Sequence, residues 1–495
     1  MTLVMAYDFG TTSLKAAVVQ HGGRIVADAD VSYPVSQPEP GWAELAVEML
    51  WDLAAATGRR ALETAGLSGD DISTVVFVAP WKGIVPIGAR GDVLHPAIIW
   101  MDGRATAEAR EINERAGFFV GTGQEYWPRL AWLKRHRAKV WERSRLILGL
   151  TGYLRWRATG VASVEISDDF VTSGDGPVGD RRRAILAAAD LDDDLGRFPA
   201  AVASTDIVGR LTLPAATELG LAPGTPVLGG FGDLSAITVG AAPVVDGAAH
   251  LYFGTSSWFA ALLRPGETVE APLTFQLAAD REAVLFPLQT GCLAYDWIVE
   301  QVYGAEKAHL HEAIQELVNE QVAEIPPGSD DLLATHWLTG ELPPLSKNAK
   351  GVFLNLTTRH DRRHMVRAVM ESLCYSHRSS LERFEQQTGR RLDAVRVVGG
   401  GASSRVWMQM LADVLGRVVE VPERPRYTGV IGAQFCSVVA LGEAADLSSV
   451  DRTEQSVTRF DPDPAAHEIY TRLHRIYTGI HPALADLFTE LNGPA

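Results

Sequence analysis

Two short segments of this chain repeat one pattern of glycine and hydroxyl residues. Residues 7–19 read YDFGTTSLKAAVV, and residues 251–263 read LYFGTSSWFAALL. A glycine without a Cβ lets an anion approach the backbone, where N–H and hydroxyl groups can donate to its oxygens. One such turn is most often an ordinary hairpin. Its repetition, with one copy in each half of the chain, predicts two turns that grip one polyphosphate.

The predicted phosphate-binding residues are those of the two turns, namely Gly10, Thr11, Thr12 and Ser13 in the first and Gly254, Thr255 and Ser256 in the second. An acid, Asp8, precedes only the first turn, and Tyr252 stands at the matching place before the second. A Mg²⁺ ion that bridges phosphate oxygens needs a carboxylate ligand on one side. Asp8 is therefore the predicted metal ligand.

A third glycine-rich segment, VVGGGASSRVW at residues 397–407, reads as a strand, a turn and a helix start. Ser403 or Ser404 is the candidate N-cap, and the glycines would let a flat or anionic group lie against the backbone. Glu420 follows at about the 20-residue spacing of the ribose-binding acid in dinucleotide-binding folds. An NAD-dependent oxidoreductase is thus one alternative, although it leaves both FGT turns unexplained. A non-catalytic actin-like protein that binds ATP is another.

Composition narrows the class of protein. A length of 495 residues exceeds what one hydrophobic core usually supports, so more than one domain is expected. The net charge of −16 argues against nucleic-acid and anionic-membrane partners, which bind through Lys and Arg. Three scattered cysteines show neither metal-ligand spacing nor a disulfide framework. With no signal peptide and no apolar stretch long enough to span a bilayer, we expect a soluble cytoplasmic protein.

The elements that must position the first turn alternate between strands and helices. Strands are predicted on both sides of GTTS and from Arg24 to Tyr33. Helical spacing of apolar residues runs from Leu45 to Ala65, and the buried strand STVVFVA follows at residues 73–79. The segment PVLGGFGDLSAITVGA then passes from a strand through a glycine turn towards a helix.

The second half has elements of its own. Apolar residues recur every three or four positions from Met365 to Gln387, and Gly389 is expected to end this helix. The strand AVRVV, the helix RVWMQMLADVL and the strand VVEVP surround the third glycine-rich segment. We place a boundary near residue 246, which predicts an N-terminal domain at 1–246 and a C-terminal domain at 247–495.

Taken in order, these segments resemble the FGGY carbohydrate kinases, and the xylulokinases among them. The matching segments are DFGTTS, GWAE, AIIWMDGRA, YLRWRATG, GGFGDLSAITVGA, FGTSS, KGVFLNLTTRH and VVGGGASSRVWMQMLADVLG. The resemblance implies an α/β fold of the actin-like ATPase or ribonuclease-H-like type, with two duplicated domains and ATP and sugar in the cleft between them. It also implies ATP- and Mg²⁺-dependent phosphorylation of a ketose or polyol, and it is compatible with a homodimer.

The resemblance assigns roles to particular residues. Asp233 matches the catalytic base, which orients the sugar hydroxyl and accepts its proton as the bond to phosphorus forms. A helix N-cap is the alternative role for this Asp. The matching positions of the adenosine site are Gly400, Gly401, Ala402 and Arg405.

On the sugar side the sequence departs from its relatives. Trp81 and Lys82 stand where xylulokinases have a Met-His pair that contacts substrate. Trp81 could stack on a sugar and Lys82 could bind hydroxyls or a substrate carboxylate, or they are a core Trp beside a solvated Lys. Asp102 and Arg104 either contact the substrate or pair with each other in a structural turn. Leu234 replaces the usual Asn, and together these differences predict that D-xylulose is a poor substrate.

Overall fold

The computed structural model describes residues 2–171, 176–278, 281–341, 346–452 and 455–493. The chain forms two compact units. The first unit comprises Met1–Pro243, Gln276–Asp280 and Gly429–Gln455, and the second comprises Val244–Phe275, Arg281–Thr428 and Ser456–Ala495. The domain limits 1–246 and 247–495 stay a prediction. In the described ranges we find no helix with the length and apolarity needed to cross a membrane.

The secondary structure is numbered along the chain. The strands of the described residues are β1 (Leu3–Phe9), β2 (Ser13–Gln20), β3 (Arg24–Ser32), β4 (Glu44–Leu45), β5 (Thr74–Ala79), β6 (Val85–Gly88), β7 (Ala97–Ile98), β8 (Ser144–Leu148), β9 (Val164–Glu165), β10 (Ala201–Val202), β11 (Ile207–Arg210), β12 (Pro226–Leu228), β13 (Phe231–Gly232), β14 (Ala249–Phe253), β15 (Ser257–Leu262), β16 (Leu273–Ala278), β17 (Arg281–Leu288), β18 (Leu333–Ala334), β19 (Phe353–Leu354), β20 (Ala394–Val398), β21 (Val418–Pro422) and β22 (Val457–Phe460). The α-helices of the same ranges are α1 (Val47–Ala65), α2 (Thr106–Ala116), α3 (Tyr126–His136), α4 (Ala138–Arg143), α5 (Leu150–Thr159), α6 (Gly176–Ala188), α7 (Leu213–Leu219), α8 (Asp233–Ala241), α9 (Leu293–Leu310), α10 (Ile314–Ala323), α11 (Arg362–Thr388), α12 (Arg405–Leu415), α13 (Thr428–Ala440) and α14 (Pro464–Asn492).

The two main sheets repeat one strand topology. In the first, β3, β2 and β1 are antiparallel neighbours, β1 runs parallel to β5, β5 runs parallel to β12, and β12 is antiparallel to β11. In the second, β17, β15 and β14 are antiparallel neighbours, β14 runs parallel to β20, β20 runs parallel to β21, and β21 is antiparallel to β22. Each repeated turn therefore joins the first two strands of one copy, which confirms the predicted duplication.

Each sheet packs its apolar side chains into a core of its own unit. In the first unit, Tyr7 of β1 stacks on Phe77 of β5 with ring centroids 5.2 Å apart, and Trp51 of α1 lies against the same phenyl ring. In the second unit the long helix α11 packs against α12 and α9, and every one of its residues from Val366 to His377 is buried. Gly389, with φ of 66°, ends α11 in the left-handed conformation as predicted. The predicted strands and helices around the turns are confirmed within a few residues at their ends.

Helix α8, which begins at the predicted base, packs against α13 with unusually close backbones. A Cβ on Gly432 of α13 would lie 2.0 Å from the carbonyl oxygen of Ala236 and 3.0 Å from the amide nitrogen of Gly240. No side chain fits at this position, so the two helices meet backbone to backbone. We therefore expect the position of α8, and with it that of Asp233, to depend on this contact.

Replacing Gly432 by Ala tests that dependence. Alanine normally stabilises a helix interior relative to glycine by about 0.5–1 kcal/mol, but here its methyl group would push the two helices apart. We expect a net destabilisation of about 1–3 kcal/mol, the range for overpacking, measured by thermal and urea unfolding. The control is Gly479→Ala in α14, where a Cβ would meet no atom within 4 Å. If both variants are stabilised alike, the close contact does not position α8.

Candidate active site

Asp233 is the first residue of α8 and directly follows β13, which pairs with β5. The N-cap of α8 is Gly232, so Asp233 is not itself the cap. One oxygen of its carboxylate accepts the N–H of Leu234 at 2.9 Å. Burial raises the pKa of Asp233 to about 7; the N–H of Leu234 lowers it, and the charge of Asp8 raises it further. A carboxylate poised near neutrality is suited to general-base work.

Asp8, near the end of β1, is the second carboxylate of this region. It is 6% exposed, and burial raises its pKa while the charge of Lys15, its partner across the hairpin, lowers it. A Cβ on Gly429 would lie 2.4 Å from Oδ2 of Asp8, so the carboxylate lies directly against that glycine. Burial raises the pKa of the Tyr33 hydroxyl, and the negative charges of Asp8 and Asp233 raise it further. The first unit thus places two carboxylates in one electrostatic neighbourhood.

Among divalent cations, these two carboxylates are suited to Mg²⁺. Among the described residues, no three His, Cys, Asp or Glu side chains are grouped as a complete protein-made metal site. Mg²⁺ does not need one, because it usually takes one or two carboxylates and fills its other positions with waters and phosphate oxygens. Asp8 and Asp233 offer hard oxygen donors of that kind, and their shared negative charge favours a cation.

The first turn, Gly10–Ser13, is held by aromatic side chains from elsewhere in the first unit. A backbone hydrogen bond of 2.8 Å closes the turn between its end residues. Tyr33 donates both its hydroxyl and its backbone N–H to carbonyl oxygens of the turn. Trp100 Nε1 donates to Thr11 Oγ1 at 3.2 Å. Thr12 remains exposed, so its hydroxyl is available to a ligand.

The second turn is held by the segment that leads into α9. The carbonyl oxygen of Gly254 accepts the N–H of Cys292 at 2.8 Å, and that of Thr255 accepts the N–H of Gly291 at 3.1 Å. The side chain of Thr255 is exposed, like that of Thr12 in the first turn. Where the first copy has a carboxylate, the second has Tyr252, stacked on Trp258 with ring centroids 3.9 Å apart. The two turns share a backbone form but only one presents an acid.

The third glycine segment forms a tight turn before α12. Gly399 adopts φ of 97°, and a Cβ there would lie 2.4 Å from the carbonyl oxygen of Phe253. Gly400 is exposed, and a Cβ on it would meet no atom within 4 Å, so its backbone borders open space. Ser404, rather than Ser403, caps α12 by accepting the N–H of Trp407 at 3.2 Å.

Two predicted adenosine residues face different surroundings. The methyl group of Ala402 is 4% exposed and belongs to the core of the second unit, which leaves only its backbone for a ligand. Arg405 is exposed, with its guanidinium 5.5 Å from the ring centroid of Phe460. Beside them lies an open depression whose lining includes Asn319, which the sequence analysis missed. Its Oδ1 accepts the hydroxyl of Ser404 at 2.7 Å.

The loop at Trp81 and Lys82 is fixed by residues that the sequence analysis did not identify. Lys82 adopts φ of 58°. Its N–H donates to Asp168 Oδ1 at 2.6 Å, and its carbonyl oxygen accepts Arg129 Nη2 at 2.8 Å. Its ammonium lies 2.8 Å from Glu125 Oε2 and 4.7 Å from the ring centroid of Trp81. Lys82 is therefore a partnered, buried cation rather than a solvated one.

Two further buried acids stand behind this loop. Burial raises the pKa of Asp168 to about 8, and the N–H of Lys82 lowers it. Burial raises the pKa of Glu165 to about 7, while hydrogen bonds from Ser167 lower it. The hydroxyl of Ser167 also accepts the N–H of Gly232 at 3.4 Å, immediately before Asp233. The segment EISDDF at residues 165–170 carried no recognised motif, although its run of acids and serine is unusual for a buried stretch.

Asp102 and Arg104 form a buried pair beneath this region. The guanidinium of Arg104 lies 3.8 Å from the ring centroid of Trp42 and 4.7 Å from that of Trp132. It pairs with Asp102 and with Glu44, each at 2.7 Å, and the side chains of Arg104 and Asp102 have no exposed surface. This geometry favours the structural alternative, and contact with the substrate stays a prediction.

Glu420, the acid on which the dinucleotide alternative rests, is engaged within the second sheet. It lies opposite Arg396 in the register of β20 and β21, and their side chains form an ion pair of 3.1 Å. Cross-strand pairs of opposite charge stabilise sheets. The residue thus has a structural partner where a ribose-binding acid would need to be open to ligand.

Comparison with known sequences gives consistent matches. The N-terminal domain of the FGGY family of carbohydrate kinases matches residues 3–240, and the C-terminal domain of the same family matches residues 252–441. The chain is 28% identical over 500 residues to the L-xylulose/3-keto-L-gulonate kinase of Escherichia coli (strain K12), with 97% of each chain covered. These matches give no support to the NAD-dependent or non-catalytic alternatives.

Solved structures share the fold over nearly the whole chain. The xylulose kinase from Rhodospirillum rubrum has a TM-score of 0.80 at 26% identity and covers 98% of this chain and 99% of its own. The gluconate kinase from Lactobacillus acidophilus has a TM-score of 0.83 at 21% identity and covers 99% of this chain and 100% of its own. The predicted α/β fold of the actin-like, ribonuclease-H-like type is confirmed.

The roles of Arg104 can be separated by Arg104→Lys. Lysine keeps the charge but loses the planar fork and its stacking between two indole rings. We expect unfolding to become easier by about 2 kcal/mol or more, since a buried ion pair is partly broken, while KM for the sugar changes less than about threefold. Thermal unfolding and steady-state kinetics measure the two effects. Unchanged stability with a large rise in sugar KM would instead make Arg104 a substrate contact.

Proposed function

This chain belongs to the FGGY family of carbohydrate kinases, and we propose that it transfers the γ-phosphate of Mg²⁺·ATP to a hydroxyl of a ketose or polyol, with Asp233 as the base. Family membership makes it a phosphotransferase that acts on a carbohydrate and uses ATP. The observation that carries the finer proposal is the carboxylate of Asp233, which stands at the start of α8, beside a second carboxylate, with a pKa raised to about 7.

The proposed reaction gives Asp233 one task. A sugar oxygen forms a bond to the γ-phosphorus while the bond from that phosphorus to the bridging oxygen of ADP breaks. The hydroxyl proton goes to Asp233, whose carboxylate orients the oxygen beforehand. With a pKa of about 7 the carboxylate is ionised in a large fraction of molecules at neutral pH, and it is more basic than an ordinary Asp.

Asp8 would hold the magnesium ion, as a hard oxygen donor of the first unit. When bound, Mg²⁺ neutralises charge on the phosphate oxygens. Asp8 is proposed as the constant ligand because it is buried and fixed against Gly429, whereas Asp233 must also face the sugar hydroxyl. Tyr33 supports this arrangement by holding the adjacent turn through the carbonyl oxygen of Gly10.

ATP itself is proposed to contact backbone and hydroxyl donors in both units. The exposed hydroxyls of Thr12 and Thr255 support phosphate contacts for the two turns. The open backbone at Gly400 supports a contact with adenosine, together with its neighbours Gly401, Ala402 and Arg405. Such local donors are needed because the net charge of −16 disfavours anions at long range.

The sugar is proposed to bind beside Trp81 and Lys82, because the backbone N–H of Trp81 donates to the carboxylate of Asp233. L-xylulose and 3-keto-L-gulonate, named for the Escherichia coli relative, are the first candidates, one neutral and the other an anion. The side chain of the buried Leu234 has no amide group that could bind a sugar hydroxyl, unlike the Asn usual at this position. Poor use of D-xylulose therefore remains our prediction. The cytoplasmic location, the homodimer and the absence of nucleic-acid partners also stay predictions.

Asp233→Asn tests the base. The amide keeps the shape of the side chain but cannot accept the proton, so kcat should fall by roughly 10²–10⁴-fold, while ADP binding, followed by calorimetry, stays within about threefold. The surface variant Asp52→Asn serves as the control. A screen of ADP release over ketoses, polyols and sugar acids identifies the substrate first. Near-normal turnover by Asp233→Asn would remove this residue from the mechanism.

The pH profile provides a second test. Because the pKa of Asp233 is raised to about 7, the working carboxylate form is present above that pH and is lost as the pH falls through it. We expect kcat/KM for the sugar to drop about tenfold per pH unit below about 7, with a plateau above. An Asn variant should lose this dependence. A wild-type profile that stays flat down to pH 5 would contradict the raised pKa of the base.

A further inference from the structure

The ammonium of Lys82 and the carboxylate of Glu125 form an ion pair that the family motifs do not foretell. Nζ and Oε2 are 2.8 Å apart, and the side chains are 11% and 27% exposed respectively. The ammonium also lies 4.7 Å from the ring centroid of Trp81 and 5.7 Å from that of Phe170. Aromatic rings on two sides shield the ammonium from water, and the opposite charges of the pair cancel at short range.

The position of Glu125 is fixed from several directions. It is the N-cap residue of α3, and its carbonyl oxygen accepts Arg129 Nε at 3.2 Å. A Cβ on Gly121 would lie 2.1 Å from Cγ of Glu125, so this glycine leaves the room that the side chain fills. The carboxylate is thus held at Lys82 by its surroundings and does not depend on the ion pair alone for its place.

No neighbouring charged group named here offers a ligand the positive charge that Glu125 neutralises on Lys82. The guanidinium of Arg129 interacts with Glu125 as well, but it has no exposed surface and donates to carbonyl oxygens, those of Ile98, Ile99 and Lys82 among them, so it offers a ligand no second cation. The other titratable groups that reach this loop, Asp168 and Asp233, are acids. A substrate carboxylate placed here would meet a cation that already has its anion.

We propose that Glu125 is the residue that sets the charge preference of the sugar site, by cancelling Lys82 so that neutral sugars are selected over sugar acids. This inference rests on the proposed function, which places the sugar beside Trp81 and Lys82. It assigns a specificity role to a residue outside the matching motifs. It also changes the expectation from the sequence, where Lys82 was a candidate partner of a substrate carboxylate.

The same pair can still bind hydroxyl groups. An ammonium has three N–H donors, and Glu125 uses one of those of Lys82. Among the described residues, Oε1 of Glu125 has no hydrogen-bond partner, so the pair offers both donors and an acceptor. Vicinal hydroxyls of a ketose or polyol present the complementary set, each being a donor and an acceptor. A carboxylate has acceptors only and would face the acid unpaired.

Glu125→Gln tests the proposal because it removes the negative charge and keeps the size of the side chain. The neutral probes are L-xylulose and D-xylulose, and the anionic probes are 3-keto-L-gulonate and gluconate. We expect wild-type protein to favour a neutral probe. In the variant, the ratio of kcat/KM for the best anionic probe to that for the best neutral probe should rise about 10- to 100-fold, the effect of a gained charged hydrogen bond. The gain should weaken as salt is added.

Two controls separate this effect from general changes. Glu114→Gln alters the net charge equally at an exposed position of α2 and should leave the ratio unchanged. The double variant Lys82→Met/Glu125→Gln should lose the gain for anions, because the gain requires the freed ammonium. Thermal unfolding of each variant checks that the fold is retained.

The outcomes are distinct. A wild-type preference for sugar acids, or a ratio in Glu125→Gln within twofold of wild type, would overturn the role of Glu125. Dissociation constants of the same probes, measured by calorimetry, report the charge preference without turnover. If wild-type protein phosphorylates neither these probes nor any sugar of the substrate screen, the proposed function fails, and the binding ratios still decide whether Glu125 governs charge.

Discussion

The first unit must keep two carboxylates, Asp8 and Asp233, close together and away from water. Burial disfavours the ionised form of each, and the charge of Asp8 acts on Asp233 in the same direction. No ordinary surface arrangement produces this, because solvated carboxylates repel little and stay ionised. Closely packed backbone holds the two carboxylates in this unfavourable arrangement: Gly429 lies against Asp8, and α8 packs directly on α13. That same cost suits the pair to a cation and suits Asp233 to its proposed role as the base.

The two units repeat one sheet and one turn, and they differ in the residue that precedes the turn, which is Asp8 in one and Tyr252 in the other. The order β3-β2-β1-β5-β12-β11 of the first sheet is repeated as β17-β15-β14-β20-β21-β22 in the second, and each turn has an exposed threonine. The first copy keeps an acid before its turn, while the second keeps Tyr252 stacked on Trp258. An aromatic pair at that place adds no charge, so of the two copies only the first carries the acid that is the proposed metal ligand. A second acid there would add repulsion towards the phosphates that both turns are proposed to bind.

Local features of this protein were predictable from the sequence, and tertiary ones were not. The hairpins, helix α11 and its glycine end follow from periodicity and turn chemistry, which act within a few residues. The partners of Lys82 are different, since Glu125 is 43 positions away and Asp168 is 86 positions away. Tyr33 reaches the first turn across 23 positions. The spacing of such residues in the sequence does not indicate which side chains the fold brings together. In the sequence, a charged residue therefore appears to have no partner.

At Lys82, the partner that the sequence does not reveal changes the charge that is available to a ligand. Its left-handed backbone, with φ of 58°, is costly for a residue with a Cβ. It persists because both ends of the residue are held, the N–H by Asp168 and the carbonyl oxygen by Arg129. A backbone fixed in this way aims the side chain at Glu125 instead of leaving the ammonium free to follow a ligand. With the sugar placed as proposed, the substrate would meet the charge of the pair, which is neutral, and not that of the lysine.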